Sequence, residues 1–442
     1  VLCCSAATVE VEVSPTPDPI GDEVAVWVES HWSPDLTLRE WWQALADAGL
    51  ALPTWPTGLG GRDMTPGAAR RVGRILADAG VVGAPSGVGQ TMGGPTVLAH
   101  GTDEQRAALV PALANGTESW CQLFSEPAAG SDLAGLRTSA VRDGDEWIVN
   151  GQKVWNSGAH LSERGLLLAR TDPDVPKHEG MSFFVIDMLQ PGIEVRPLRQ
   201  MNGGAEFCEV FMTEARVRAD RMIGAPGAGW QVARTTLAFE REAVSAGGAR
   251  SAGAFPGSIA GQLDRTVGEI RAPSALSSPR EVNGFVVDNR ALRKLVHARG
   301  VAADPIVRQG LARFKSMTEV NRFNGSRARA SASRAGRPGP EASVGKLAMS
   351  NIARTSRDLA FSFMGAEGML AGDDAPGGGA YHEVALGSFG ASLGGGTDEI
   401  QRNVMGERTL GLPREPQADE GIAFRDIPSR IDQGEGTRRT DG

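Results

Sequence analysis

LFSEPAAGSDLAGLRT, residues Leu123–Thr138, marks the point where the texture of the chain changes. Ala128, Ala129 and Gly130 carry almost no side chain, so a flat ligand could lie directly against the backbone there. Ser125, Ser131 and Thr138 bring hydroxyls able to donate to carbonyls or phosphates. The same residues suit an ordinary tight loop leading into a β domain, because polar surface loops often bind nothing.

On the C-terminal side of this stretch, residues 138–217 alternate and carry turn signals. Arg142-Asp143-Gly144-Asp145 reads as a hairpin turn between Thr138–Val141 and Trp147–Val149. Further strands are expected at Leu166–Ala169, Ser182–Ile186, Ile193–Val195 and Glu209–Met212, a spacing that suits a small barrel or sandwich. On the N-terminal side, residues 23–118 read as helical. Trp41, Leu45 and Leu50 belong to an amphipathic segment broken by PTWPTGLGG at Pro53–Gly61, and helical patterns resume at Ala68–Ala79 and Asp103–Ala114.

After Pro226-Gly227 the chain turns helical again, over Trp230–Gly247, Asp304–Arg334 and a segment from the RAGRPGPE break to Phe363. A last helix starts at Thr397. Helices, then strands, then helices is α+β layering rather than a βαβ alternation. The expected division is 1–120, 121–227 and 228–412, with an extended polar tail at 413–442.

A chain of 442 residues with 41% hydrophobic residues supports two or three packed units. A net charge of −8 and a pI near 5.5 disfavour nucleic acid as a partner. The four cysteines and six histidines show no metal-ligand spacing, so no metal is expected. VLCCSAATVEVEV lacks the regions of a signal peptide and no run of about 18 apolar residues occurs, so a cytoplasmic protein without a membrane span is expected.

Neither G-x-G-x-x-G after a strand nor G-x-x-x-x-G-K-[ST] is present, so a nucleotide cofactor must be held in another way. In VNGQKVWNSGAH (Val149–His160), Trp155 offers a planar face followed by Asn156 and Ser157, although a core tryptophan is the commoner role. On the helix Trp230–Gly247, Trp230, Ala233, Leu237, Glu240 and Val244 fall on one face. Glu240 therefore sits in an apolar stripe, either as a base with a raised pKa or as half of a structural ion pair. GGGTDEIQRN (Gly394–Asn403) runs a glycine loop into a helix capped by Thr397, which suits either an anion or a plain N-cap.

Taken in order, LFSEPAAGSD, NGQKVWNSGAH, LAFEREAVSAGG and GGTDEIQRNVMGERTLGL closely resemble the acyl-CoA dehydrogenase family, from about residue 40 to Pro416. PTWPTGLGG is similar to that family's N-terminal helix break. The resemblance implies an N-terminal helical domain, a central β-barrel and a C-terminal four-helix bundle. It further implies FAD in an extended pose, oxidation of an acyl-CoA thioester to the 2,3-enoyl-CoA, and an electron-transfer flavoprotein as electron acceptor. By the same resemblance, Gln122, Phe124, Ser125 and Ser131 line the flavin or pantetheine side, and Trp155, Asn156 and Ser157 meet the isoalloxazine. Gln309, Gly365, Thr397 and Glu399 would reach FAD from the C-terminal domain, while Ser131, Arg241 and Gly395 would meet the substrate.

The chain departs from the family pattern in two places. Many members carry the catalytic Glu just before the Gly-Thr of the last motif, where this chain has Gly395. A minority place it directly before an Arg on the helix opening the C-terminal domain, and the matching residue is Glu240, with Asp398 and Glu399 as fallbacks. The Arg-x-x-Phe-Gly motif is also missing at Ala272–Ala291, where the segment APSALSSPREVNG (Ala272–Gly284) reads as loop. That gap suggests a subfamily with a wider cleft, such as those acting on steroid side-chain CoA esters, in which different subunits share the flavin. The expected assembly is therefore a homo-oligomer or a heterotetramer with a paralogous subunit. Two alternatives stand beside the dehydrogenase: a non-catalytic subunit of a heteromer, and a same-fold flavin oxidase or monooxygenase.

Overall fold

The computed structural model describes residues 19–245, 254–271, 282, 283, 285–335, 339, 341–416 and 418–428. Its N-terminal unit contains α1 (Pro19–His31), α2 (Leu38–Asp47), α3 (Pro66–Asp78), α4 (Gly94–His100) and α5 (Asp103–Ala114). Thr37 and Thr102 start α2 and α5 in capping boxes with Glu40 and Gln105, each satisfying backbone donors that a helix start leaves open. Trp41 and Trp42 lie fully buried on α2, and their indole N–H groups donate to the carbonyls of Val82 and Gly83 at 2.7 and 2.8 Å.

The central unit is one curled sheet of β1 (Trp120–Leu123), β2 (Ser139–Asp143), β3 (Glu146–Ser157), β4 (Arg164–Arg170), β5 (Met181–Asp187), β6 (Ile193–Leu198), β7 (Phe207–Arg218) and β8 (Met222–Ile223). The strand order is β6-β7-β3-β2-β4-β5-β8, with β1 parallel to β4. The expected hairpin is present: Asp143 pairs with Glu146, and Gly144 takes φ 63°, as a tight two-residue turn requires. β4 and β5 are buried on both faces. Leu167, Phe184 and Ile186 fill the interior of the sheet, while Leu166, Phe183 and Val185 pack outward on the helices. A strand buried twice loses its alternation and reads as a continuous apolar run.

The C-terminal unit comprises α6 (Gly229–Ser245), α7 (Val267–Arg271), the short hairpin β9 (Val282–Asn283) and β10 (Val286–Val287), α8 (Asn289–Ala298), α9 (Pro305–Ala335), α10 (Glu341–Met364), α11 (Ala380–Gly387), α12 (Gly390–Leu393) and α13 (Asp398–Val404). α10 is the central helix, packing against α6, α8, α9, α11 and α13. Leu292, Leu295, Phe314, Ile352, Phe363 and Tyr381 form its core.

Three features differ from the sequence expectations. First, residues 254–271 return to the N-terminal unit. Leu38 N–H donates to the Arg265 carbonyl and Val267 N–H to the Leu36 carbonyl, while Leu263 and Val267 enter the core of α1–α3. Second, of the segment read as loop, Ala272–Gly284, residues 272–281 and 284 lie outside the described residues, while Val282–Asn283 form β9 and pair with β10; α8 follows it. Asp288 caps α8 by accepting from Ala291 N–H at 2.8 Å, and Ala291, Leu292, Leu295 and Val296 bury its inner face. Third, the tail is not extended throughout: residues 418–428 fold back on the sheet, because Phe424 finds an aromatic-on-guanidinium seat over Arg170. No helix among the described residues is long and apolar enough to cross a membrane.

Candidate active site

The loop Leu123–Thr138 is held by a buried ion pair. Glu126 accepts from Arg137 N–H at 2.7 Å, Thr138 N–H at 2.9 Å and Lys153 Nζ at 2.9 Å, and Lys153 also donates to the Phe124 carbonyl at 2.9 Å. Burial pushes the Glu126 carboxyl up, but Lys153 and the two backbone donors outweigh it and hold the group below its ordinary range. Neither Glu126 nor Lys153 stood out in the sequence, where an acid and a lysine 27 residues apart give no pairing signal. Phe124 itself is a core residue, edge-on to Phe183, so its contribution to the site is through its carbonyl and its packing.

Next to Lys153, β3 bulges. The register with β7 shifts between Lys153 and Asn156, and Trp155 takes φ 65°, a left-handed conformation that a bulky residue adopts only under constraint. Its indole is 61% exposed and meets Phe207 edge-on, so it is not the core tryptophan that composition favours. Asn156 points inward. Its Nδ2 donates to the Gln122 carbonyl at 2.6 Å, while its Oδ1 is buried without a hydrogen-bond partner. Ser157 and Ser131 are exposed, and Ser125 is partly buried. The exposed indole suits stacking on a flat ring such as an isoalloxazine, and the adjacent residue leaves a buried acceptor that an N–H donor would satisfy.

α6 brings Glu240 to the same region. The helix starts with Trp230 against His178 and runs down a buried face of Val232, Ala233 and Thr236, the last bonded to Thr96 Oγ1 at 2.9 Å. Gln122 Nε2 donates to Glu240 Oε2 at 3.2 Å. Burial raises the Glu240 pKa, opposed by the Gln122 hydrogen bond and by Arg241. Arg241 is lowered by burial and by the nearby Arg408 and Arg234, with Glu240 working the other way. Glu240 thus has a neutral hydrogen-bonding partner and a neighbouring cation, and among the described residues it forms no ion pair.

Gly395 faces it. The residue has φ 66°, and a Cβ built on it would lie 3.8 Å from Glu240 Oε1. The two positions that the family pattern offers for a base therefore converge on one point in space. The Gly395 loop is fixed by Gln401, whose Nε2 donates to the Gly395 carbonyl at 2.8 Å, and by Thr397, whose Oγ1 accepts from Ile400 N–H at 3.3 Å. Sequence reasoning missed Gln401, since a buried amide on a polar helix carries no distinguishing pattern.

The two fallback carboxylates lie elsewhere. Asp398 accepts from Lys346 at 3.3 Å and Arg354 at 2.9 Å; burial raises its pKa, but Ser350 and these cations more than offset that and hold it low. A carboxylate so paired is a poor proton acceptor. Glu399 points to the surface in an ion pair with Arg402. Gln309 and Gly365 are exposed, and no hydrogen bond among the described residues links either of them to Glu240 or Gln122. No cluster of His, Cys, Asp or Glu suited to a metal occurs among the described residues.

Models of the acyl-CoA dehydrogenase N-terminal, middle and C-terminal domains match residues 18–117, 121–215 and 286–410. The chain is 38% identical over 389 residues to acyl-CoA dehydrogenase IpdE1 of Mycobacterium tuberculosis, covering 85% of this chain and 88% of the relative. It is 50% identical over 204 residues to acyl-CoA dehydrogenase FadE34 of the same organism, covering 46% of this chain and 28% of that longer relative. Among solved structures, the ChsE4-ChsE5 complex from Mycobacterium tuberculosis superposes with a TM-score of 0.66 at 25% identity, over 91% of this chain and 100% of that one.

Proposed function

From the premise that this chain belongs to the acyl-CoA dehydrogenase family, we propose that Glu240 is the base of its α,β-dehydrogenation. The enzyme is an FAD-dependent oxidoreductase acting on acyl-CoA thioesters. The observation that carries the assignment is the meeting of Glu240 Oε1 with the Cβ direction of Gly395. Where other members supply a carboxylate from the last loop, this chain leaves a glycine and supplies the carboxylate from α6.

FAD, when bound, supplies the oxidant that accepts the β-hydride. Trp155, Asn156 and Gln122 are the residues that would hold its ring system, with Ser125 and Ser157 along the same edge, while Ser131, on the loop that follows, would also meet the CoA arm of the substrate. Glu240 takes the proton from the thioester α-carbon. Its raised pKa makes the ionised carboxylate a stronger base than an exposed one. The Gly395 N–H would polarise the thioester carbonyl, where negative charge develops as the α-proton leaves. Arg241, with Arg234 and Arg408, gives the substrate's phosphates a local cationic site on an acidic protein.

The test is anaerobic titration of the flavoprotein with a panel of straight-chain, branched and steroid-derived acyl-CoA thioesters. At least one member should bleach the flavin. A yellow protein indifferent to the whole panel contradicts the reading. Electrons then pass to an electron-transfer flavoprotein, so reduced enzyme should reoxidise slowly in air; rapid reoxidation would favour an oxidase.

A second reading, that a paralogous subunit completes the flavin site, is favoured by the ChsE4-ChsE5 complex among the structural relatives. The exposed Leu386, Phe389 and Leu393 of the C-terminal unit, 40%, 52% and 65% accessible, agree with a partner on that face. Full flavin occupancy of the chain purified alone as a homo-oligomer would remove this reading.

A further inference from the structure

Residues 418–428 lie beyond the last family match, which ends at residue 410, yet they pack on the sheet beside the loop that carries Ser131. Phe424 N–H donates to the Val175 carbonyl at 2.9 Å, Arg425 N–H donates to the Pro173 carbonyl at 3.0 Å, and Ala423 bridges Pro176. Asp419 pairs with Lys177 at 2.7 Å, and Lys177 pairs in turn with Asp132 at 3.0 Å, the residue next to Ser131.

The most consequential contact is through Arg170 at the end of β4. This side chain is buried, so its charge must be met inside the protein. Nη2 donates to the carbonyls of Ala134 and Leu136 at 2.6 and 3.3 Å, and Nη1 donates to the Lys177 carbonyl at 2.7 Å. Phe424 covers the guanidinium at 3.6 Å from its ring centroid, and Arg137 approaches the same ring at 5.7 Å. A guanidinium sealed by an aromatic face is kept from water and keeps its hydrogen bonds to the loop carbonyls.

We propose that residues 418–428 form a strap that sets the conformation of residues 131–137, which makes Phe424 and Asp419 positioning residues for the CoA-bearing end of the substrate. The strap touches no reacting atom. It acts through Arg170 and Lys177, which hold the loop from two sides. The substrate role of the loop rests on the function proposed above, whereas the mechanical coupling of strap to loop does not.

Two measurements on the full flavoprotein separate those parts. Hydrogen exchange of the 131–137 amides should accelerate about fivefold or more in Phe424→Ala and in a chain ending at Leu412, and return to the wild-type rate in Phe424→Tyr. Calorimetric titration with free coenzyme A should show a dissociation constant raised about fivefold in Phe424→Ala and restored in Phe424→Tyr, with flavin content unchanged. Unchanged exchange in the loop overturns the strap. Faster exchange with unchanged coenzyme A affinity overturns the positioning role. If the wild-type protein itself ignores coenzyme A, the function proposed above fails, and exchange alone then decides the strap. Asp419→Asn provides the same readout through Lys177 should Phe424→Ala not fold.

Discussion

At the residue scale, the proposed chemistry turns on two positions. Gly395 has the left-handed backbone at which glycine is most at ease, and a Cβ on it would lie 3.8 Å from Glu240 Oε1, the carboxylate proposed above to act in place of one on this loop. Because both point to one place, the base should be transferable. In a Glu240→Gln, Gly395→Glu double variant, turnover should recover at least about tenfold over Glu240→Gln alone, within the range that one general base contributes. Steady-state rates with a bleaching thioester check this, and no recovery would mean that the two positions do not reach the same α-carbon. The raised pKa of Glu240 also carries a stability consequence. Its folded pKa lies above the ordinary carboxylate value of 4.5, so between those two values the native state holds a proton that the unfolded chain has lost. Stability contributed by this group therefore falls as pH rises through that interval. Glu240→Gln should melt higher than wild type above the interval, and the gap should close below pH 4.5; calorimetry at the two ends measures it.

At the element scale, the signature loop depends on β3. The Glu126–Lys153 pair lies under the loop with Lys153 fully buried, and three of its hydrogen bonds end on loop backbone. Lys153→Met should cost about 3–5 kcal/mol, because it strands a buried carboxylate; urea denaturation reads the loss, and a loss below about 1 kcal/mol would show that Glu126 reaches water instead. Glu126→Gln combined with Lys153→Met should be milder than Lys153→Met alone, because no charge is left unpaired. The β3 bulge has its own consequence: Trp155→Ala should leave the fold intact but weaken FAD retention, measured as flavin released on desalting. Elements with a single buried face were legible in the sequence. The helix over α6, the β2–β3 hairpin and the capped start of α13 all appear close to where spacing placed them. β1 was not legible, since four residues paired in parallel to β4 carry no alternation and no turn. The bulge at Trp155 was not legible either, because register with β7 is a property of two strands together.

At the scale of the whole molecule, the three units were readable as blocks of texture, but the crossings between them were not. Leu263 and Val267 belong by sequence to the C-terminal third and by packing to the N-terminal core. Phe424 belongs to a polar tail and by packing to the sheet. All three sit in segments too short to carry a periodic pattern, and only the tertiary surface that receives them reveals their role. For the site, the family resemblance brought Glu240 forward as the base, with Asp398 and Glu399 as fallbacks and Gly395 where the usual carboxylate is missing, whereas the structure brings Glu240 and Gly395 together and shows Asp398 paired with Lys346 and Arg354. The stripe on α6 could be read because helical period is local; the approach of Gln122 across 118 residues could not.

The direct test of the central claim is the rate of flavin bleaching on anaerobic mixing with one active acyl-CoA thioester, compared between wild type and Glu240→Gln at equal flavin content. The account predicts a fall of about 10²–10⁴-fold in the variant, with the oxidised flavin spectrum and thioester binding retained. Bleaching at the wild-type rate in Glu240→Gln would contradict it.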